Sequence, residues 1–144
     1  MGVVRKLIHI SLHTTIENNG DKEIIKNTYK GKYVRKGNVE VITYTEITDG
    51  FGDINNRITL HPNKVNIKRS GQITMNQQFI VNHRTESLYR HPYGNMTMEI
   101  DTKEMTRRSL SSREAGQVRI VYDVHLTGKE ISEHFLVLTY TEEK

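Results

Sequence analysis

Gln117-Val118-Arg119-Ile120-Val121-Tyr122-Asp123-Val124-His125-Leu126 is the stretch that decides the fold. Val118, Ile120, Tyr122, Val124 and Leu126 take every second position, with Arg119, Asp123 and His125 between them. Successive side chains of a strand point to opposite faces, so this segment reads as a strand with one buried and one wet face. The same period runs outward through the chain. Val4, Ile8, Ile10, Leu12 and Ile16 alternate before Asn19-Gly20, a pair that tolerates positive φ and signals a hairpin. Further strands are predicted over Lys22 to Arg35 (with Gly31 as a bend or bulge), Val39 to Thr48, Ile54 to Leu60 and Val65 to Arg69. Gln72 to Val81, Glu86 to Arg90, Asn95 to Met105, Gln117 to Leu126 and Ile131 to Thr141 complete ten. The connections include Lys36-Gly37-Asn38, Asp49-Gly50-Phe51-Gly52-Asp53, His61-Pro62-Asn63, His91-Pro92-Tyr93-Gly94 and Thr127-Gly128-Lys129. The single candidate for a helical turn is Arg107 to Ala115.

Ten short-linked antiparallel strands in an open sheet would leave exposed edges, and closing the sheet removes them. The prediction is one all-β domain over 1–144, a mostly meandering barrel of about ten strands, with a two-sheet sandwich as the second choice. A barrel of that strand number is wide enough to hold a small ligand. Composition agrees. The 144 residues include 35% hydrophobic and 26% charged residues, 2 prolines, and no cysteine or tryptophan. A closed sheet buries one face of each strand and needs nearly every backbone donor, which suits a thin apolar share and little proline. Without cysteine there are no disulfides, thiol nucleophiles or cysteine-based zinc sites. No run of about 18 apolar residues offers a membrane-crossing helix. The first fifteen residues form no uninterrupted apolar core of a signal peptide, so a cytoplasmic setting is expected.

A resemblance joins this reading. Tyr44-x-Glu46, Arg69-Ser70-Gly71-x-x-x-Met75-Asn76-Gln77-x-Phe79, Tyr89 with Gly94, and Gly116 followed by Tyr122-Asp123-x-His125 resemble the YwiB-like family of small bacterial proteins of unknown function. The likeness runs from about the first strand to Tyr140, and Arg69 to Phe79 is its most specific part. It implies a calycin-like barrel, similar in shape to lipocalins, and it brings no function and no catalytic residues. The chain lacks the Gly-x-Trp signature and terminal helix of lipocalins, and it lacks the helix pair of fatty-acid-binding proteins. A transport role taken from those relatives is therefore analogy from fold alone.

The interior holds the candidate site. Arg69 shares parity with Val65 and Ile67, and Glu46 with Ile42 and Tyr44, so both charges are expected inside the barrel or at its mouth. A buried charge needs a partner, water or a ligand. Tyr44, Gln77, Tyr89 and Tyr122, with Tyr29, are expected to complete a polar lining beside Phe79 and Met75. Arg69 with a tyrosine is a device for holding a carboxylate, and a plain Arg69–Glu46 pair is the competing expectation. An Arg69 exposed to solvent with no cavity beside it would refute the anchor.

Other constellations are weak. His9 and His13 share a face about 13 Å apart and cannot chelate one ion. His125 and His134 flank one hairpin, with Asp123 expected opposite His134 in an exposed charge pair. No metal, cofactor or catalytic residue is assigned, and the enzyme class comes last. The leading expectation is a non-enzymatic binder of a small, partly apolar or carboxylate ligand inside the barrel. The alternative is a protein- or RNA-interaction module using the outer face with Lys26, Lys30, Lys32 and Lys36, given a net charge of +4. Tyr29 and Tyr33 have the opposite parity to Lys26, Lys30 and Lys32, and nucleic-acid binders normally pair charge with stacking rings. Arg107, Arg108 and Arg113 are read as lying in one loop. The partners considered are therefore a small-molecule ligand, nucleic acid well behind it, and a second copy of the chain; a membrane is not among them.

Overall fold

The computed structural model describes residues 2–50, 52–111, 113–126 and 128–143. Phe51, Ser112 and Thr127, which fall in three of the predicted connections, lie outside the described residues, as do Met1 and Lys144. The described residues form ten strands: β1(Val4–Asn18), β2(Asp21–Lys36), β3(Val39–Thr48), β4(Gly52–Leu60), β5(Val65–Gly71), β6(Met75–Phe79), β7(Arg84–His91), β8(Gly94–Arg108), β9(Gly116–Leu126) and β10(Ser132–Glu142).

Chain neighbours pair antiparallel, and β1 also pairs β10, so the sheet runs β6-β5-β4-β3-β2-β1-β10-β9-β8-β7. Its two ends meet. Thr74 and Arg90 exchange backbone hydrogen bonds of 3.0 and 2.8 Å. Thr85 Oγ1 donates to the Gln78 carbonyl at 2.7 Å, and the Asn76 amide donates to Ser87 Oγ at 3.3 Å. The result is a nearly closed up-and-down barrel and not a sandwich. The turn at Asn19 and Gly20 has φ of 51° and 85°, the two positive values that a tight hairpin demands. Along β9 the burial alternates from Gly116 through Val124, as its sequence dictates.

One interruption in the wall matters for function. β2 pairs β3 only from Lys32 to Lys36, so its first half, Asp21 to Gly31, leaves β3 and stays paired to β1. Gly31 marks the parting. A Cβ there would stand 2.5 Å from the Thr43 carbonyl oxygen and 2.7 Å from Ile10 Cδ1, so only glycine fits. The bend expected at Gly31 is therefore a split in the wall between two strands.

Three expectations need correction. Among its described residues, Arg107 to Ala115 contains no helical turn: β8 continues to Arg108, and Arg107 and Arg108 are strand residues. β8 also runs past its expected end through a bulge between Thr102 and Glu104. The extra residue flips the side-chain parity, so Met98, Ile100 and Thr102 face inward before it, and Met105 and Arg107 after it. β6 covers Met75 to Phe79 only, although Ile73 beside it is buried.

The bulge delivers Arg107 to Glu40, a carboxylate with no solvent exposure. Arg107 Nη2 lies 2.7 Å and Nε 3.2 Å from Glu40 Oε1. The hydroxyls of Tyr33 and Tyr140 donate to Oε2 at 2.5 and 2.9 Å. Arg107 Nη1 also donates to the His61 carbonyl at 2.7 Å. Burial alone would raise the Glu40 pKa, but the bonds from Tyr33, Arg107 and Tyr140 outweigh it and hold the carboxyl below its ordinary value. With Ile8, Ile42 and Leu60, this network fills one end of the barrel.

Candidate functional site

The other half of the barrel is not filled. A cavity of about 280 Å³ lies inside it. Its wall is divided about evenly between apolar and polar surface, with Ile58, Ile67, Val118, Ile120 and Leu138 among the apolar contributors. Tyr33, Tyr140 and Glu40 are absent from that wall, so the cavity stops short of the buried network.

Arg69, Glu46, Asn56, Tyr29 and Tyr44 gather at one side, on β2 to β5, while Gln77 and Tyr122 line the cavity from β6 and β9. Arg69 Nη2 donates to Glu46 Oε1 at 3.0 Å, and Asn56 Nδ2 donates to the same oxygen at 2.9 Å. The Arg69 and Glu46 side chains are 23% and 21% exposed, so the pair sits at the cavity wall with limited access to water. Arg69 Nε is buried and has no hydrogen-bond partner. An unmet buried donor costs of order 1–3 kcal/mol. Tyr29 and Tyr44 stack beside the pair with ring centroids 4.4 Å apart. Burial, the largest cause, pushes both hydroxyls above the ordinary tyrosine value; the Glu46 charge adds to this and Arg69 opposes it. They stay protonated near neutral pH and remain donors. The Tyr122 hydroxyl is raised by burial as well.

Six of the eight candidate residues line this one cavity: Arg69, Glu46, Tyr44, Gln77, Tyr122 and Met75. Phe79 and Tyr89 do not. Phe79 is fully buried and packs edge-on to Tyr122 at 4.8 Å, and Tyr89 stacks on His91. Both are inward by parity, but strand parity does not say how far along the barrel a side chain sits. Gln77 spends its amide on Met98 Sδ at 3.3 Å. Asn56 escaped the sequence reading although it shares parity with Ile54 and Ile58, and Asn27 escaped it likewise.

His134 also needs correction. It pairs across the hairpin with Tyr122, not Asp123, and its ring stacks on Tyr122 at 5.0 Å while Nε2 lies 2.9 Å from Ser132 Oγ. Asp123 lies opposite Glu133, and Lys103 bridges both at 3.2 and 2.7 Å. Burial lowers the His134 pKa below 6.5, against a smaller opposing effect of Asp123. As pH falls through 6.5, the unfolded chain therefore takes up this proton before the folded one does, and stability drops. His134→Gln is expected to flatten the stability curve between pH 7 and 5, as read by urea midpoints. An unchanged slope would contradict the burial of this ring. Among the described residues, no three His, Asp or Glu side chains are placed to hold a metal ion. No helix in them is long and apolar enough to cross a membrane.

Comparisons with known proteins agree with this architecture. The chain is 29% identical over 133 residues to the "Uncharacterized beta-barrel protein YwiB" of Bacillus subtilis (strain 168), covering 91% of this chain and 92% of that protein. It is similar to a solved structure described as "Crystal structure of ywiB protein from Bacillus subtilis". That likeness has a TM-score of 0.85 and 26% identity, over 97% of this chain and 94% of the other. Residues 10–138 match the family described as "Domain of unknown function (DUF1934)", and with nearly the whole barrel inside that match, the chain belongs to this family of uncharacterised β-barrel proteins.

Proposed function

We propose that the barrel binds a small, partly apolar ligand whose acceptor oxygen, a carboxylate in the first instance, meets Arg69. The observation that carries this reading is the Arg69 guanidinium on the wall of a 280 Å³ cavity, with its buried Nε left without a partner. Glu46 takes Nη2 of the guanidinium and leaves Nε unpaired. The apolar part of the wall suits the body of such a ligand, and Tyr29 and Tyr44 supply further donors near its head. The split between β2 and β3 offers a route in through the wall. The barrel is read as a binder and not an enzyme. Its outward positions on β1 and β2 include Arg5, His9, His13, Lys26, Lys30 and Lys32, the reverse of the apolar outer band of a membrane barrel. An aqueous compartment, the cytoplasm, is part of the same proposal.

The test is calorimetric titration of the intact chain with octanoate and with octanol. Wild type is expected to bind octanoate saturably. Arg69→Met is expected to weaken it about tenfold or more, the worth of a charge-assisted hydrogen bond of about 1.5–3 kcal/mol. Glu46→Gln, which removes a competing carboxylate, is expected to tighten it. Failure of wild type to bind either compound would overturn the reading. So would an Arg69→Met variant that binds octanoate as wild type does.

A further inference from the structure

The outer face of the same wall carries a second feature. An open cleft of about 560 Å³ lies over β2 to β5 where β2 and β3 part. Lys30, Lys32, Arg57 and Lys68 border it. The register explains why they gather. Lys32 pairs with Thr43, Thr43 with Arg57, and Arg57 with Lys68, so three cations stand on one row across four strands. Strands are about 4.8 Å apart, so the row spans the reach of adjacent phosphate groups.

These charges are not neutralised by the protein. Among the described residues, Lys32, Arg57 and Lys68 make no ion pair, and Lys30 reaches only Glu143, at 4.0 Å. Of the outward positions on β3, β4 and β5, only Asp53 carries a carboxylate, and it pairs with none of the four. Arg57 and Lys68 stand directly opposite each other, an arrangement that destabilises a sheet. The cleft adds neutral donors from Thr43 and Ser70.

We infer that this outer cleft binds a small polyanion carrying adjacent phosphates, independently of the cavity inside the barrel. The fit is to compact, concentrated charge. A single-stranded nucleic acid would be expected to stack its bases on aromatic rings. Of the described aromatic residues on β2 to β5, Tyr33 is buried, and Tyr44, which borders the cleft, is also buried with its ring already stacked on Tyr29 at 4.4 Å. A bound polyanion would relieve the repulsion between Arg57 and Lys68.

Titration of the intact chain with inorganic tripolyphosphate at low salt tests this, with a dT20 oligonucleotide as the second ligand. Wild type and Arg119→Gln, a single cation removed on the far strand β9, are expected to bind tripolyphosphate saturably and alike. The double variant Arg57→Gln/Lys68→Gln is expected to lose at least tenfold in affinity. Because it removes like charges, it is expected to melt no lower than wild type, so loss of binding is not loss of fold. Arg69→Met is expected to keep tripolyphosphate binding, which separates this site from the interior one. Absence of saturable binding, or equal binding by the double variant, overturns the inference. Tighter binding of dT20 that is lost in the same variant overturns the small-anion assignment in favour of a nucleic-acid surface.

Discussion

Replacing Glu40 by alanine is expected to lower the unfolding free energy by about 3–5 kcal/mol, the usual cost of removing one partner from a buried ion pair. For a chain of this size that corresponds to a fall in Tm of roughly 10–20 °C. The size follows from what would be stranded. The Tyr33 and Tyr140 hydroxyls lose the acceptor they share, and Arg107 keeps its bond to the His61 carbonyl but loses its charge partner. A thermal melt of Glu40→Ala within a few degrees of wild type would contradict this picture of the closed end. Glu40→Gln isolates the charge. The folded carboxyl titrates below its ordinary value, so its contribution is full above about pH 4.5 and is lost as pH falls through the folded pKa. Wild type should therefore lose stability on acidification below 4.5, and Glu40→Gln should lose less. Parallel acid limbs would show that the carboxylate is not held in its charged form.

Gly116→Ala is expected to be nearly as damaging, at about 3 kcal/mol. A Cβ at Gly116 would stand 2.2 Å from Tyr140 Cζ and 2.7 Å from its hydroxyl oxygen. A flexible side chain would yield, but the Tyr140 ring has no exposure and is anchored to Glu40. Moving it breaks that anchor. Gly116→Ala combined with Tyr140→Leu should therefore cost well under the sum of the two single changes. Additivity within about 0.5 kcal/mol would remove the steric explanation.

The sequence was most informative where strand parity alone decides an outcome. The alternation of β9 and the Asn19-Gly20 turn led directly to strands, a hairpin and a closed meander. The inward aim of Arg69 and Glu46 was legible for the same reason, since each shares parity with buried neighbours. The Glu40 network was half legible. Glu40 shares parity with Ile42 and Tyr44, a signal left unread, but nothing local identified its partners. Arg107 reaches it only because the bulge in β8 reverses the strand's inward parity, and no residue pattern announced that bulge. Phe79 and Tyr89 face inward as their parity predicts but lie off the cavity wall, because parity fixes a face and not a level along the barrel. His134 was misplaced by one residue of register, which in a sheet moves a side chain to the other face.

The most direct test of the central claim is native mass spectrometry of the chain purified without denaturation from its own cells. The predicted result is a species heavier than the polypeptide by one small molecule, lost on denaturation and depleted when Ile67→Trp fills the cavity. A bare polypeptide mass, or an adduct retained equally by Ile67→Trp, would contradict a ligand held inside the barrel.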